Sequence, residues 1–144
     1  MMKILFVCTG NTCRSPMAEV ILRKKLKLAG VNNVKVSSAG LSANVGSKMS
    51  ENSIKALKSM GYITRKFKSK QVDAKLLLEN DLILCMTTFH KQYISAFPNV
   101  YSIAEYVGGV DVSDPYGKDI NEYVKVSHQI EDACNVILEK LLEK

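Results

Sequence analysis

A short apolar segment that runs into a cysteine and a polar loop constrains the fold of this chain more than any other feature. Residues 4–7 are all apolar, and they are followed by Cys8-Thr9-Gly10-Asn11-Thr12-Cys13-Arg14-Ser15-Pro16. Serine is a favoured helix N-cap and proline is favoured at the first helical position. The pattern therefore predicts a strand, a tight loop, and a helix that begins at Pro16 with Ser15 as its cap. In that arrangement, successive backbone N–H groups and the helix dipole form a cradle for an anion.

Two side chains of this loop can carry chemistry. The guanidinium of Arg14 presents a planar fork of donors that fits a tetrahedral oxyanion. Cys8 lies where the loop amides and the helix N-terminus should stabilise a thiolate and lower the pKa of the thiol. A lone cysteine that ends a strand is more often a small apolar core residue. Here the order Cys, five residues, Arg, Ser favours a nucleophile that attacks phosphorus.

The remaining loop residues are expected to shape the cradle. Gly10 should supply backbone freedom where the loop curls its amides inward. Asn11 tolerates a left-handed backbone and can brace the loop with its side-chain amide. Ser15 can also donate to the Cys8 thiolate, which would make the sulfur a better leaving group. The predicted phosphate-binding loop comprises Thr9, Gly10, Asn11, Thr12, Cys13 and Ser15.

The residues from Val7 to Glu19, together with Asp114-Pro115-Tyr116-Gly117, resemble the low-molecular-weight protein tyrosine phosphatase family. The resemblance covers nearly the whole chain. Thr12 narrows it, because the tyrosine phosphatases usually carry Ile or Leu at this position and the bacterial protein arginine phosphatases carry Thr. The chain therefore most resembles the bacterial protein arginine phosphatase branch.

Alternating strand and helix patterns predict a single doubly wound α/β domain over residues 1–144 with helices on both faces. The further predicted strands cover residues 34–38, 81–86 and 100–103, and the predicted helices cover 16–29, 50–60, 73–79, 88–97 and the segment from 119 onward. The family resemblance implies a four-stranded parallel sheet in the order 2-1-3-4. In such a sheet the Cys8 loop lies at the topological switch point, at the carboxyl end of the first strand.

The resemblance also implies the second half of the chemistry. Asp114 follows the last strand, so it should lie on the same rim as Cys8, and the family places its general acid at this position. Cys8 would attack phosphorus while Arg14 and the loop amides hold the oxygens and Asp114 protonates the leaving group. Asp114 would then activate the water that hydrolyses the cysteinyl-phosphate. This chemistry needs no metal and no cofactor.

Four residues carry narrower expectations. Ser38 matches a family position that hydrogen-bonds the loop asparagine, here Asn11. Thr12 and Tyr116 are expected to set substrate selectivity, and Tyr116 is followed by Gly117 where tyrosine-directed relatives commonly have a second aromatic residue. Cys13 either packs the loop or is the redox partner of Cys8 in a reversible disulfide, and both interpretations stay open.

Three other functions compete with an arginine phosphatase. A tyrosine phosphatase would share the mechanism. An arsenate reductase needs a relay of further cysteines; Cys85 stands at the first relay position, but residues 86–98 contain no cysteine. A carrier that only holds phosphate on cysteine would leave Arg14 and Asp114 without a role. The favoured substrates are therefore phosphorylated proteins or peptides, with inorganic phosphate as the product.

Composition restricts the setting of this reaction. The net charge is +6 and the pI is about 9.1, yet the chain carries no nucleic-acid-binding motif. No apolar run approaches the ~20 residues of a membrane span, and no signal peptide is recognised. The four cysteines do not resemble a secreted disulfide framework, and no Cys/His group has zinc-like spacing. We expect a cytoplasmic monomer that contacts neither nucleic acid nor membrane.

Overall fold

The computed structural model describes residues 1–143, and at its centre is a four-stranded parallel sheet. The sheet order is β2-β1-β3-β4, which confirms the predicted topology. The strands are β1 (Met2–Cys8), β2 (Val34–Gly40), β3 (Leu82–Cys85) and β4 (Val100–Ser102). Strand β2 is two residues longer than its predicted range of 34–38, because Ala39 and Gly40 continue the pairing, opposite Val7 and Cys8.

Six helices connect and cover the strands. They are α1 (Arg14–Leu28), α2 (Glu51–Ser59), α3 (Ala74–Glu79), α4 (Thr88–Ile94), α5 (Ile103–Val107) and α6 (Ile120–Leu142). Helix α4 ends three residues before the predicted limit at residue 97, and Thr87 caps it by accepting from the backbone N–H of His90. The short α5 was not predicted, although Ser102 and Glu105 form a reciprocal capping box at its start.

The start of α1 differs from the prediction that Ser15 caps a helix beginning at Pro16. The helix begins at Arg14, its N-cap position is Cys13, and no side chain caps it. The physical reason is that the Ser15 hydroxyl already has two side-chain partners inside the loop, Cys8 and Asn11. The loop therefore passes directly into the helix.

Helices cover both faces of the sheet, as predicted. Alternate residues of β1 point to opposite faces. Ile4, Phe6 and Cys8 join a core cluster that includes residues of α1, α2 and α6, whereas Leu5 and Val7 join a second cluster that includes residues of α3 and α4. A strand covered on both faces is expected to be apolar throughout, which explains the unbroken apolar run that precedes Cys8.

The carboxyl ends of all four strands meet at one rim of the sheet. Cys8 pairs with Gly40, Val7 pairs with Cys85, and Cys85 pairs with Ser102. The chain leaves β1 towards β2 on one side, and β3 lies on the other side, so the end of β1 is the topological switch point. In residues 1–143, no helix is both long enough and apolar enough to span a membrane.

Candidate active site

The loop from Cys8 to Ser15 lies at the switch point and is held by the segment that follows β2. Backbone N–H groups of Leu41, Ser42 and Ser50 each donate to a loop carbonyl, at 2.9 Å in every case. The accepting carbonyls belong to Cys8, Thr9 and Thr12. With these carbonyls held from outside, the loop keeps the curled shape that an anion cradle needs.

Asn11 braces the loop from within. Its backbone is left-handed, with φ at 57°, as predicted. Its side-chain Nδ2 donates to Ser15 Oγ at 2.8 Å and to Ser38 Oγ at 2.9 Å. Its Oδ1 accepts from the backbone N–H of Lys70 at 2.8 Å. The contact between Asn11 and Ser38 is the one that the family resemblance implies.

These bonds leave the hydroxyl hydrogen of Ser15 available to Cys8. Because Ser15 Oγ accepts from Asn11, its hydroxyl hydrogen is free to donate to Cys8 Sγ, which lies 2.8 Å away. Cys8 is only 3% exposed, and Ser15 is fully buried. A thiolate formed at Cys8 would therefore have a fixed hydroxyl donor beside it.

The same network extends further than the sequence indicated. Ser38 donates to Glu19 Oε1 at 2.7 Å, and Glu19 Oε2 lies 2.8 Å from Arg23 on the next turn of α1. The four-residue spacing of Glu19 and Arg23 on a helix was a readable pattern. It did not show, however, that the pair supports the loop through Ser38.

The glycine that the loop requires is not the predicted one. Gly10 does not have a positive φ, and a Cβ atom there would meet only Thr12 Oγ1, at an ordinary 3.8 Å. At Gly40, the last residue of β2, a Cβ atom would lie 2.5 Å from the carbonyl oxygen of Thr9 and 3.0 Å from the backbone nitrogen of Asn11. The expectation for Gly10 is therefore wrong, because the constraint is close approach by another segment and not backbone freedom in the loop.

Arg14 and Asp114 meet on the rim. Arg14 NH2 lies 3.7 Å from Asp114 Oδ2, with the arginine side chain 6% exposed and the aspartate side chain 56% exposed. Arg14 NH1 donates to the carbonyl oxygen of Val112 at 3.1 Å. Asp114 Oδ1 also accepts from the backbone N–H of Tyr116 at 3.1 Å, a local turn contact. The structure therefore brings a buried cation and an exposed carboxylate together at this rim, as the sequence predicted.

The segment that carries Asp114 is anchored at several points. Val112 N–H donates to the carbonyl oxygen of Met86, at the end of β3, at 2.9 Å. Asp111 Oδ1 accepts from Thr88 N–H at 3.0 Å, and Gln129 Nε2 donates to the carbonyl oxygen of Asp111 at 3.0 Å. Contacts with β3, α4 and α6 therefore hold the carboxylate at this rim.

Opposing effects act on the pKa of Cys8, the predicted nucleophile. Burial raises the pKa of the Cys8 thiol above its ordinary value, and this is the largest effect. The Ser15 hydroxyl, backbone N–H groups of Ser15 and Asn11, and the charge of Arg14 lower the same pKa. The predicted lowered pKa is therefore wrong for this structure, because the prediction counted the donors and the helix dipole but not the desolvation of a thiolate at a buried site.

Thr12, Cys13 and Tyr116 differ in their surroundings. Thr12 is half-buried, and the contact of its hydroxyl with Cys13 Sγ is long, at 3.8 Å. Cys13 Sγ lies 3.5 Å from Tyr123 Oη and 3.6 Å from Ser50 Oγ, in a small core cluster with Ala56 and Tyr123. Tyr116 is 77% exposed beside the Asp114 turn. Cys13 thus packs the loop, and its pairing with Cys8 stays a prediction.

Cys85 is fully buried in β3, and burial raises the pKa of its thiol to about 12. In the structure Cys85 fills the core, which agrees with the argument against an arsenate reductase relay.

His90 is a buried contact of the loop that was not assigned from the sequence. Its ring nitrogen Nε2 lies 2.8 Å from the hydroxyl of Thr9, the residue after Cys8. Its position just beyond β3, on the rim shared with Cys8, could have suggested it. Within residues 1–143, no three His, Cys, Asp or Glu side chains lie together in a way that could hold a metal ion.

Comparisons with known proteins agree with this geometry. The family model for low molecular weight phosphotyrosine protein phosphatase matches residues 3–144. The chain is 36% identical over 147 residues to a protein-arginine-phosphatase of Bacillus subtilis, covering 97% of each chain. It is also 36% identical over 138 residues to the low molecular weight protein-tyrosine-phosphatase PtpB of Staphylococcus haemolyticus, covering 90% of this chain and 92% of that one.

One similar solved structure is the YwlE arginine phosphatase, in a cysteine-to-serine mutant with a phosphorylated active-site serine. Its TM-score is 0.93 at 33% identity, with 99% of this chain and 97% of that chain covered. With a nucleophile position, a buried arginine and an aspartate at one rim of the family's sheet, this chain belongs to the low molecular weight phosphotyrosine protein phosphatase family and is a phosphatase.

Proposed function

We propose that this phosphatase hydrolyses phosphoarginine on proteins through a cysteinyl-phosphate intermediate. The observation that carries the arginine preference is Thr12, a half-buried residue of the loop. Within residues 1–143 its hydroxyl has a single contact, a long one to Cys13 Sγ at 3.8 Å. That hydroxyl is therefore available to a substrate. Relatives named as arginine phosphatases support the proposal, since one of them is 36% identical to this chain.

In the first step, the Cys8 thiolate attacks phosphorus and the bond between phosphorus and the guanidino nitrogen breaks. The loop amides and Arg14 hold the phosphoryl oxygens, and the protonated carboxyl of Asp114 gives its proton to the departing nitrogen. A cysteinyl-phosphate and an arginine side chain with a protonated guanidinium result. The solved relative with a phosphorylated active-site serine supports a covalent route of this kind.

In the second step, a water molecule attacks the phosphorus of the cysteinyl-phosphate. The Asp114 carboxylate takes a proton from this water, the bond between sulfur and phosphorus breaks, and inorganic phosphate leaves. The electron pair returns to Cys8 Sγ, where Ser15 at 2.8 Å donates to the thiolate. The positive charge needed for both steps is supplied by Arg14 and the loop dipoles, so we propose no metal and no cofactor.

The preference for a guanidino leaving group follows from the polarity of the side chain at position 12. A guanidino group is planar and rich in N–H donors, and an aliphatic wall would leave these groups without partners. An unpaired polar group in a desolvated site costs about 1–3 kcal/mol, which corresponds to roughly tenfold discrimination or more. The Thr12 hydroxyl can accept one such N–H, or it can order the attacking water.

A tyrosine phosphatase is the second candidate. It is favoured by the exposed aromatic ring of Tyr116 beside the Asp114 turn, which could stack on a phenol ring. A relative named as a tyrosine phosphatase is also 36% identical. The turn carries one aromatic side chain, because Gly117 follows Tyr116.

The setting of the reaction is part of the proposal. A nucleophilic thiol works only while it is reduced, so we propose a cytoplasmic location. We further propose that the protein acts as a monomer on phosphorylated proteins or peptides. The net charge of +6 suits such anionic partners.

The test compares kcat/KM for two peptides of the same sequence, one with phosphoarginine and one with phosphotyrosine. Wild type should favour phosphoarginine by tenfold or more. Thr12→Ile should lose phosphoarginine activity while phosphotyrosine activity is kept or gained. Thr12→Val, which matches Thr in shape but lacks the hydroxyl, should lose phosphoarginine activity as well.

Two results would contradict the proposal. If wild type favours phosphotyrosine, the protein is a tyrosine phosphatase. If both activities fall in parallel in Thr12→Ile, Thr12 only shapes the loop and does not set the preference. Cys8→Ser is the control for the covalent route. It should hydrolyse neither peptide, and substantial residual turnover in that variant would show that Cys8 is not the nucleophile.

A further inference from the structure

A buried histidine holds the side chain of the residue that follows the nucleophile. His90 is 2% exposed on the first turn of α4. Its Nε2 lies 2.8 Å from Thr9 Oγ1, and its Nδ1 lies 2.9 Å from Thr87 Oγ1. Both ring nitrogens therefore face a threonine hydroxyl, and the mechanism above uses neither the ring nor the Thr9 side chain.

The contacts of Thr87 select one tautomer of the ring. Thr87 Oγ1 accepts from the backbone N–H of His90 at 3.1 Å. Within residues 1–143, Thr87 Oγ1 has no hydrogen-bond acceptor other than His90 Nδ1. These contacts favour a Thr87 hydroxyl that donates to Nδ1, and an Nδ1 that accepts this hydrogen carries no proton. In a neutral imidazole the proton then resides on Nε2.

The electrostatic surroundings keep this ring neutral. Burial lowers the pKa of His90 to about 4, and the positive charge of Arg14 contributes in the same direction. The carboxylates of Asp114 and Asp111 act in the opposite direction but do not outweigh these effects. At neutral pH, Nε2–H therefore donates to Thr9 Oγ1.

This donation determines what Thr9 can offer to a substrate. Thr9 Oγ1 accepts from His90, so its own hydroxyl hydrogen points away from the ring. Thr9 is exposed and follows Cys8 directly in the loop. A phosphoryl group bound over Cys8 presents oxygen acceptors at this position. A donor that is already oriented costs no reorganisation during the reaction.

We propose that His90 is a positioning residue that orients the Thr9 hydroxyl as a donor to a phosphoryl oxygen of the substrate. The proposal rests on Cys8 as the nucleophile of the proposed function. It does not depend on the preference for phosphoarginine, because the phosphoryl group is common to both candidate substrates.

The test is a double-mutant cycle of Thr9→Val and His90→Leu, with kcat and KM measured on an aryl phosphate and on a phosphoarginine peptide. Each single variant should lower kcat/KM by about tenfold, mainly through kcat. The double variant should be no worse than the poorer single one, because both remove the same donor. His128→Gln, which replaces the exposed histidine of α6, is the control and should match wild type.

A purely structural histidine would give a different pattern. Thr9→Val would then stay within twofold of wild type, or the two losses would multiply in the double variant, and either result overturns the proposal. If His90→Leu does not fold, Thr9→Val still decides the question. His90→Gln, which keeps an N–H donor, should recover most of the activity, and a complete loss in a folded His90→Gln would count against the role.

Failure of this proposal differs from failure of the proposed function. If Thr9→Val matches wild type while Cys8→Ser is inactive, only the role of His90 and Thr9 is wrong. If Cys8→Ser still hydrolyses the aryl phosphate, the nucleophile itself is wrongly assigned.

Discussion

The surroundings of Cys8 act on the pKa of its thiol in opposite directions. Removal from water disfavours the thiolate, whereas Ser15, Arg14 and the loop amides favour it. The pH at which the thiolate forms therefore depends on a few identified donors. Among the groups that lower the pKa of Cys8, the Ser15 hydroxyl has the largest effect, and its bond from Asn11 leaves its hydrogen available to the sulfur.

Ser15→Ala should raise the pKa of Cys8 further, because the variant removes a group that lowers it. The reactive thiolate would then form only at higher pH. The acidic limb of kcat/KM against pH should shift upward, so activity near pH 7 falls while the difference from wild type shrinks in alkaline solution. The rate of Cys8 alkylation by iodoacetamide as a function of pH reports the same shift directly.

Ser127→Ala is the matched control, because Ser127 is also fully buried but bonds to Met60 and Val124. Its alkylation profile should overlay that of wild type. An unchanged profile in Ser15→Ala would show that the Ser15 hydroxyl does not stabilise the thiolate.

Individual residues also show what the sequence could predict. The left-handed Asn11 and the meeting of Arg14 with Asp114 follow from a compact local motif and from the common rim of parallel strands. The contact of His90 with Thr9 and the close approach of Gly40 to the loop are different: the position of His90 beyond β3 places it near this rim, but it does not show which residue the ring contacts. Their importance arises where segments distant in sequence come together, and no local pattern records such a contact.

The helices and strands around the site also include features that the sequence predicts and features that it does not. The apolar runs of β1 and β3 mark strands buried on both faces, and the predicted sheet order is present. Element ends are less predictable, as at α1, where the Ser15 hydroxyl is used inside the loop and leaves the helix without a side-chain cap. At the junction of β2 with the loop, Gly40 lies close against the loop backbone.

Gly40→Ala should damage this junction. The added Cβ would lie 2.5 Å from Thr9 O, 3.0 Å from Asn11 N and 3.1 Å from Gly10 C. All three are backbone atoms, so the loop must move. We expect a loss of about 1–3 kcal/mol in the free energy of unfolding, and at least a tenfold loss of kcat/KM, because displaced amides no longer match the phosphoryl oxygens.

Thermal unfolding and steady-state kinetics measure the two effects. Gly109→Ala is the control, because a Cβ there would meet nothing within 4 Å and its φ is not positive. Gly10→Ala should also keep most of its stability, since its Cβ would make only an ordinary contact. A Gly40→Ala protein that unfolds and turns over like wild type would show that the loop does not need this close approach.

Across the protein as a whole, positive charge is in excess. The chain has 20 Lys and Arg residues against 14 Asp and Glu residues, which gives the net charge of +6. A field of this sign attracts phosphorylated substrates before they reach the loop. Its range is set by salt, because the Debye length falls from about 30 Å at 0.01 M to about 8 Å at 0.15 M ionic strength.

We therefore expect kcat/KM for a phosphopeptide to fall several-fold as sodium chloride rises from about 0.01 M to about 0.15 M. The change should lie in KM, since in the proposed mechanism the buried Arg14 and the loop amides act on the bound phosphoryl group at short range. A peptide with acidic flanks should lose more than a peptide with neutral flanks and the same phosphorylated residue. If both peptides show equal salt dependence, the protein attracts the phosphoryl group and not the acidic flanks. If kcat falls at constant KM, salt acts on the chemical step and the prediction is wrong.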